Sequence, residues 1–266
     1  MEVDAWLEGP PRPTSVTRLV TFNVRNGRAP ALRHTWWGRR EAVLASLVRL
    51  APDLAGLQEP YAFQADWLCR RLPAYGRYGV GRTDGARRGE QALVLYRLDR
   101  YRLLHAETRW YGDEPATPGQ RLPGARFPRT AAILHLEDTT DGSTLGFVNT
   151  HLHAHERANR LRATTQLAAW VAGSAVPTAL VGDLNDEPAG PALRVLVEEG
   201  GLRHAVPGAA GGSNHDFTGT RHGRRLDHIL VPPSWTVAAA GVDHRRVADR
   251  LASDHWPVVA DVFTSP

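Results

Sequence analysis

Six apolar runs of the chain stop at, or start from, residues able to handle a metal ion, a phosphate or a proton. V-T-R-L-V-T-F-N ends in Asn23, L-A-G-L-Q-E in Glu59, L-G-F-V-N-T-H in His151, and T-A-L-V-G-D-L-N in Asp183 and Asn185. Two runs are reversed: R-L-D-H-I-L-V carries Asp227 at its start, and S-D-H-W-P-V-V-A-D-V carries Asp254 and His255. Alternate residues of a strand share a face, so Asp183 and Asn185 project together. Turn chemistry places Asp and Asn at strand ends and explains any one of these positions taken singly. Six together point to one edge, because C-terminal and N-terminal ends lie side by side when strands are antiparallel. Glu59, Asp183, Asp254 and the asparagines are hard oxygen donors, suited to Mg²⁺ or Mn²⁺ rather than zinc. Magnesium keeps several waters and needs one or two carboxylates beside substrate phosphate oxygens, an economy that Glu59 as principal ligand fits. His255 is suited to act as general base or phosphate-charge stabiliser, with Asp227 orienting its ring.

The elements that must carry these residues follow from periodicity. Strand-length apolar runs occur at 18–24, 54–58, 91–96, 131–136, 145–149, 177–181, 226–231 and 257–263, and helical patterns at 37–50, 62–72, 156–171 and 190–199. The run 91–96 is followed closely by 100–107, and 131–136 by 145–149, which predicts antiparallel hairpins rather than strict βαβ alternation. The expected architecture is α/β: two packed sheets with helices on their outer faces. Residues 1–15 read as a loose tail and 16–266 as a single domain. The loops 76–90, 111–128 and 206–224 are rich in Gly, Pro and Arg, and their length suits substrate-facing segments.

Composition narrows the chemistry. The 266 residues contain no lysine, so all 32 Lys+Arg residues are arginine, which removes P-loop and Schiff-base mechanisms. The single cysteine, Cys69, excludes an intrachain disulfide and any multi-thiolate metal site. The formal net charge of +4 permits anionic substrates, but the arginines occur in scattered pairs without a long basic tract. No apolar run is long enough for a membrane span. The acidic, proline-punctuated start lacks a signal-peptide pattern, so a cytoplasmic location is expected. The oligomeric state is not specified, and a monomer is the default.

The blocks T-F-N-V-R, G-L-Q-E, G-E-Q-A-L-V-L-Y-R, F-P-R-T, N-T-H-L, G-D-L-N, R-L-D-H-I-L-V and S-D-H-W-P-V resemble, in order, the signatures of the endonuclease/exonuclease/phosphatase superfamily. The resemblance spans roughly residues 17–263. It implies a four-layer α/β sandwich of the DNase I-like kind and Mg²⁺-dependent cleavage of a phosphate ester. On it, Asn23, Glu59 and Asp254 are similar to metal-site residues, and Asp183 to the residue that orients or deprotonates water. Asn185 resembles a phosphate contact, His151 a donor to a phosphate oxygen, and Asp227 with His255 the paired carboxylate and imidazole. The superfamily admits either Asp183 or His255 as the base. The blocks at 78–85 and 109–115 resemble a bacterial branch of metal-dependent hydrolases, in which Arg25, Arg82 and Arg129 are expected near a phosphate. That branch carries Asp after N-T-H-L, where this chain has His153, two positions from His151 and expected on the same strand face.

The expected substrate is a phosphate mono- or diester of a small molecule or lipid headgroup, with loops 76–90 and 111–128 roofing an enclosed pocket; the alternative is a Mg²⁺-dependent nuclease with nucleic acid as partner. Trp36 and Trp37 are candidates to wall the pocket, although residues of this kind ahead of a helix more often join the core. T-H-L-H-A-H-E also resembles a zinc-hydrolase motif, but that reading leaves Asn23, Glu59 and the S-D-H block without a role. A non-catalytic phosphate-binding member is disfavoured because every catalytic-type position is filled.

Overall fold

The computed structural model describes residues 12–29 and 34–264. In chain order the elements are β1 (Val16–Asn23), α1 (Trp36–Leu50), β2 (Leu54–Tyr61), α2 (Ala62–Cys69), β3 (Tyr75–Tyr78), β4 (Glu90–Arg97), β5 (Tyr101–Trp110) and β6 (Thr130–Asp138). There follow β7 (Thr144–His151), α3 (Arg157–Ala172), β8 (Thr178–Asp183), α4 (Pro191–Glu198), β9 (Arg203–His204), β10 (Asp227–Val231), β11 (Thr236–Val242) and β12 (Val258–Phe263). The strands form two six-stranded mixed sheets, ordered β11-β12-β1-β2-β4-β3 and β5-β6-β7-β8-β10-β9. With the four helices among the described residues they make the expected four-layer sandwich.

Strand alternation explains the layers. In β4, Val94 and Tyr96 join the cluster between the sheets, whereas Leu93 and Leu95 join Val43, Leu47 and Leu50 of α1 on the outer side. On the second sheet, Leu180 faces Leu167 of α3 and Leu193 of α4, while Ala179 and Val181 face the other sheet. Each fully buried leucine or valine contributes roughly 1.5–3 kcal/mol of transfer free energy. The sheets approach closely at Gly56 of β2, where a Cβ would lie 2.4 Å from Val181 and 2.7 Å from Asn149. Beside it, Asn149 of β7 donates to Leu57 O and Leu93 O and accepts from Gln58 Nε2 at 2.7 Å, which stitches the two sheets together near one edge.

The expected hairpin of β6 and β7 is present, with Ala131 opposite Thr150. The other expectation is corrected: β4 and β5 are not a hairpin, because β4 pairs with β2 and β3 and β5 pairs with β6 of the facing sheet. Arg100 in the connection is buried and donates to Val16 O at 2.8 Å and to Asp138, so the short link is fastened at the corner between the sheets. The first eleven residues of the 1–15 tail lie outside the described residues, but Arg12 donates to Asp53 Oδ2 at 2.6 Å. No helix among the described residues is long and apolar enough to cross a membrane.

Candidate active site

Strand direction gathers the polar ends. β1 and β2 are parallel, as are β7 and β8, while β12 runs antiparallel to β1 and β10 antiparallel to β8. The C-terminal ends bearing Asn23, Glu59, His151 and Asp183 therefore share an edge with the N-terminal ends bearing Asp227 and the Asp254–His255 pair. His151 and Asp227 are the register neighbours of Asp183 on either side. Across the gap between sheets, Asn23 Nδ2 donates to Asp183 Oδ2 and to Glu59 Oε1, both at 3.0 Å. One carboxamide thus spaces two carboxylates on different sheets.

Glu59 is held by a second asparagine: Asn26 donates its backbone N–H to Oε2 at 2.7 Å and its side chain at 3.2 Å. Burial raises the Glu59 carboxyl, but the bonds from Asn23 and Asn26 outweigh it and hold the group below its ordinary value. Asp183 is different. Burial, then the charge of Asp227, pushes its carboxyl up to about 7, against the opposing effects of His255 and Asn23. Burial works against protonation of His255, yet Asp227 outweighs it, through its charge and a 2.7 Å bond to Nδ1, and leaves the ring well above its ordinary value. His255 Nε2 lies 3.9 Å from Asp183 Oδ2 and 3.0 Å from Asn214 Nδ2; an imidazolium requires Asn214 to present its carboxamide oxygen. His151 Nε2 stands 3.5 Å from Asp183 Oδ2, and burial with the nearby Arg129 keeps this ring neutral, well below its ordinary value.

Three residues of the site have left-handed backbone unusual for a side chain: Arg25 (φ 54°), Glu59 (φ 72°) and Asn185 (φ 52°). Such conformations persist where surrounding bonds over-determine them. Arg25 N donates to Asn23 Oδ1 at 2.9 Å, and Asn185 N to Asp183 Oδ1 at 3.1 Å with its carboxamide nitrogen on Leu152 O at 3.0 Å.

The arginines divide. Arg82 and Arg129 converge on Glu90, with Arg129 Nη1 3.8 Å from Oε2, and the three border a gap with Glu59 and His151. The gap encloses about 10 Å³, room for one water or ion. Arg25 instead pairs with Asp254, whose other oxygen lies 3.1 Å from Ser253 Oγ. Asp254 is consequently the most fully countered carboxylate of the set. The loops do meet over this region, with the Arg82 guanidinium 4.9 Å from the centre of the Phe127 ring.

Several sequence readings change. His153 lies beyond the end of β7 rather than on the face of His151, and its Nδ1 sits 2.8 Å from Glu156 Oε2, away from the gap. His155 is exposed, so the three histidines of T-H-L-H-A-H do not converge and the zinc-motif reading fails. Trp36 is buried under α1, and Trp37 is 64 % exposed against Phe63, so neither lines the gap. Glu90, Asn26 and Asn214 were not singled out in the sequence. Glu90 carries the same signal as Asp227, a carboxylate opening an apolar run; the two asparagines lie in loops and carry none.

Buried oxygen atoms support a cation here. Asp183, Asp227 and His255 lie with a ligand-type atom within 4.8 Å of one another, the one such group among the described residues; with the His255 ring protonated, the two carboxylates are its cation donors. Asp227 Oδ1 and His151 Nδ1 are buried without a hydrogen-bond partner. With Glu59 the set is oxygen-rich and carries excess negative charge, which suits Mg²⁺ or Mn²⁺ better than a thiolate- or imidazole-preferring metal.

Residues 20–255 match the endonuclease/exonuclease/phosphatase family. A family protein from Bacteroides thetaiotaomicron is 25% identical, with 95% of this chain and 98% of that one covered and a TM-score of 0.86. One from Bacteroides vulgatus is 27% identical, covering 93% and 98%, with a TM-score of 0.85. A mannosyl-6-phosphatase from Bacteroides thetaiotaomicron shares the fold at 24% identity, covering 92% and 99%, with a TM-score of 0.83. Among curated proteins, no sequence matches the chain.

Proposed function

The chain belongs to the endonuclease/exonuclease/phosphatase family, whose members hydrolyse phosphoric esters, and from that premise we propose a Mg²⁺-dependent phosphoesterase acting on a small phosphorylated molecule. The observation that carries the proposal is Asn23 holding Glu59 and Asp183 apart across the two sheets, with the His255–Asp227 pair on the far side of Asp183. Glu59, fixed by Asn23 and Asn26, is the principal ligand for the cation, with Asn23 and Asp254 beside it. A bound Mg²⁺ supplies charge stabilisation for the phosphoryl oxygens.

Asp183 accepts the proton of the attacking water. Its amide bond from Asn185 and its carboxamide bond from Asn23 fix the carboxylate for that role. His255 is then the positive partner, held by Asp227, and neutralises charge that builds on the equatorial oxygens. His151, neutral, and Asn185 are donors to the same group. Arg82 and Arg129 outnumber Glu90 in their recess and receive further phosphate charge.

The preference for a small molecule rests on the contact between the 76–90 and 111–128 loops and on the absence of a long basic tract in the sequence. A panel of phosphomonoesters, phosphodiesters, DNA and RNA with Mg²⁺ and Mn²⁺ tests both parts, comparing wild type with Glu59→Ala and His255→Ala. Small esters should be turned over and both variants should lose at least about a hundredfold. Nucleic-acid cleavage with no small-ester turnover overturns the substrate class, and a near-wild-type rate in either variant overturns that residue's role.

A further inference from the structure

The recess between Arg82, Glu90 and Arg129 is small as well as positive. Its walls are strand ends: Glu90, Gln91 and Ala92 open β4, and Arg129 and Thr130 lead into β6. At about 10 Å³ it has room for one unesterified phosphate oxygen and none for a carbon substituent. Two guanidiniums share one carboxylate there. Buried Arg82 Nη1 lies 2.5 Å from Glu90 Oε2 but has no aligned hydrogen-bond acceptor, which leaves donor capacity free. Burial and the repulsion of Arg82 lower the Arg129 pKa, so its charge is under-compensated by Glu90.

The segment over the recess is braced against α3. Gly112 N donates to Gln166 Oε1 at 3.0 Å, and Gln166 Nε2 returns a 2.9 Å bond to Gly112 O. Asn159 Nδ2 donates to Pro123 O at 3.2 Å, and Glu156 Oε1 accepts from Arg126 N at 3.0 Å. Leu122 and Ala125 join Leu167 of α3 in one buried cluster. The roof is therefore held at its start, its middle and its exit. Phe127 sits at that exit, with its ring 4.9 Å from the Arg82 guanidinium and 5.0 Å from that of Arg126. It remains 44 % exposed, so it is a rim residue and not part of the core.

We propose that the Phe127 roof and the Arg82–Arg129 recess select a terminal phosphate, so that the enzyme hydrolyses monoesters and excludes diesters. The inference rests on the phosphoesterase reading, which places the scissile phosphate beside Glu59 and His151, two residues that border the recess. A monoester has three unesterified oxygens and up to two negative charges, and one of those oxygens enters the recess. A diester must turn its second ester group either into a space too small for it or against the fixed Phe127 ring. In the reaction, the water oxygen bonds to phosphorus as the P–O bond to the alcohol breaks. The departing alkoxide takes up a proton, and inorganic phosphate remains.

Initial rates with Mg²⁺ compare p-nitrophenyl phosphate with methyl p-nitrophenyl phosphate, which has the same leaving group and one added methyl ester. Wild type should favour the monoester in kcat/KM by at least about a hundredfold. Phe127→Ala should lower that preference at least about tenfold by raising diester turnover, and Phe127→Leu, which keeps an apolar cap, should retain most of it. Arg129→Gln should lower it from the other side, costing the monoester at least about tenfold more than the diester. Wild type that hydrolyses the diester as readily as the monoester overturns the selection and leaves the phosphoesterase reading standing. A preference unchanged by Phe127→Ala, or both esters slowed alike, overturns the roof as its source, and the same results in Arg129→Gln overturn the recess. Failure of wild type to hydrolyse either ester, or any ester of the wider panel, removes both readings.

Discussion

The two ends of the β-sandwich bury acidic groups in opposite ways. At the end away from the site, each carboxylate meets a guanidinium: Arg18 Nε and Nη2 each donate to Asp261 at 2.8 Å, Arg100 donates to Asp138 at 2.9 and 2.7 Å, and Arg12 to Asp53 at 2.6 Å. At the site end, Asp183 and Asp227 sit side by side, Asp227 Oδ1 has no partner, and Asn23 is a neutral spacer where an arginine would have cancelled charge. Compensated charge fastens the fold, and the charge left uncompensated at the site end is what the proposed cation and proton transfer would use. Asp254, countered by Arg25, lies between these extremes.

The largest expected effect separates the two ends by activity. Asp183→Asn should reduce kcat by about a thousandfold or more while leaving the folded protein as stable as wild type or more so, measured by steady-state rates and urea unfolding. Asp138→Ala should do the reverse: it leaves Arg100 buried without its main partner and should cost about 3–5 kcal/mol of stability, with kcat per folded molecule retained. Equal stability losses at both ends would break the comparison.

Within the site end, the pH dependence of stability has two contributions of opposite sign. The folded-state pKa of Asp183 is raised from 3.8 to about 7, so the protonated form favours folding. In metal-free protein this contribution is fully present below about 4 and is lost as pH rises through about 7. Urea midpoints in chelator between pH 5 and 8 should fall more steeply for wild type than for Asp183→Asn, and Mg²⁺ should remove the difference. His153, His215 and His228 act oppositely: burial lowers each to about 4, so stability falls as pH drops from about 6.5 toward 4 in both proteins. The smallest effect belongs to the surface, where Arg102→Ala removes a pair with Glu137 and should cost less than about 1 kcal/mol.

Much of this arrangement was legible in the residues. The polar caps on apolar runs located Asn23, Glu59, His151, Asp183, Asp227 and His255 because strand direction alone decides which ends share an edge. Other parts left no such trace. β11, T-V-A-A-A-G-V, is alanine-rich and mostly half-exposed, so neither strand propensity nor alternation marks it. The crossing from β4 to β5 reads as a hairpin because its short link gives no sign of which sheet the next strand joins; Arg100 and its buried contacts decide that in three dimensions. His153 follows His151 by two residues, yet the chain leaves the strand between them and the expected shared face disappears. Asn26 and Asn214 act from loops, where spacing carries no periodicity.

The most direct test is a Mg²⁺ titration of chelator-treated protein, reading the initial rate of small-ester hydrolysis for wild type and Glu59→Ala. Wild type should be inactive without the cation and recover saturably with it, and Glu59→Ala should require far more Mg²⁺ and stay below about one-hundredth of the wild-type rate. Full turnover in the stripped protein, or recovery by Zn²⁺ and not by Mg²⁺ or Mn²⁺, would contradict a hard-cation site built on Glu59.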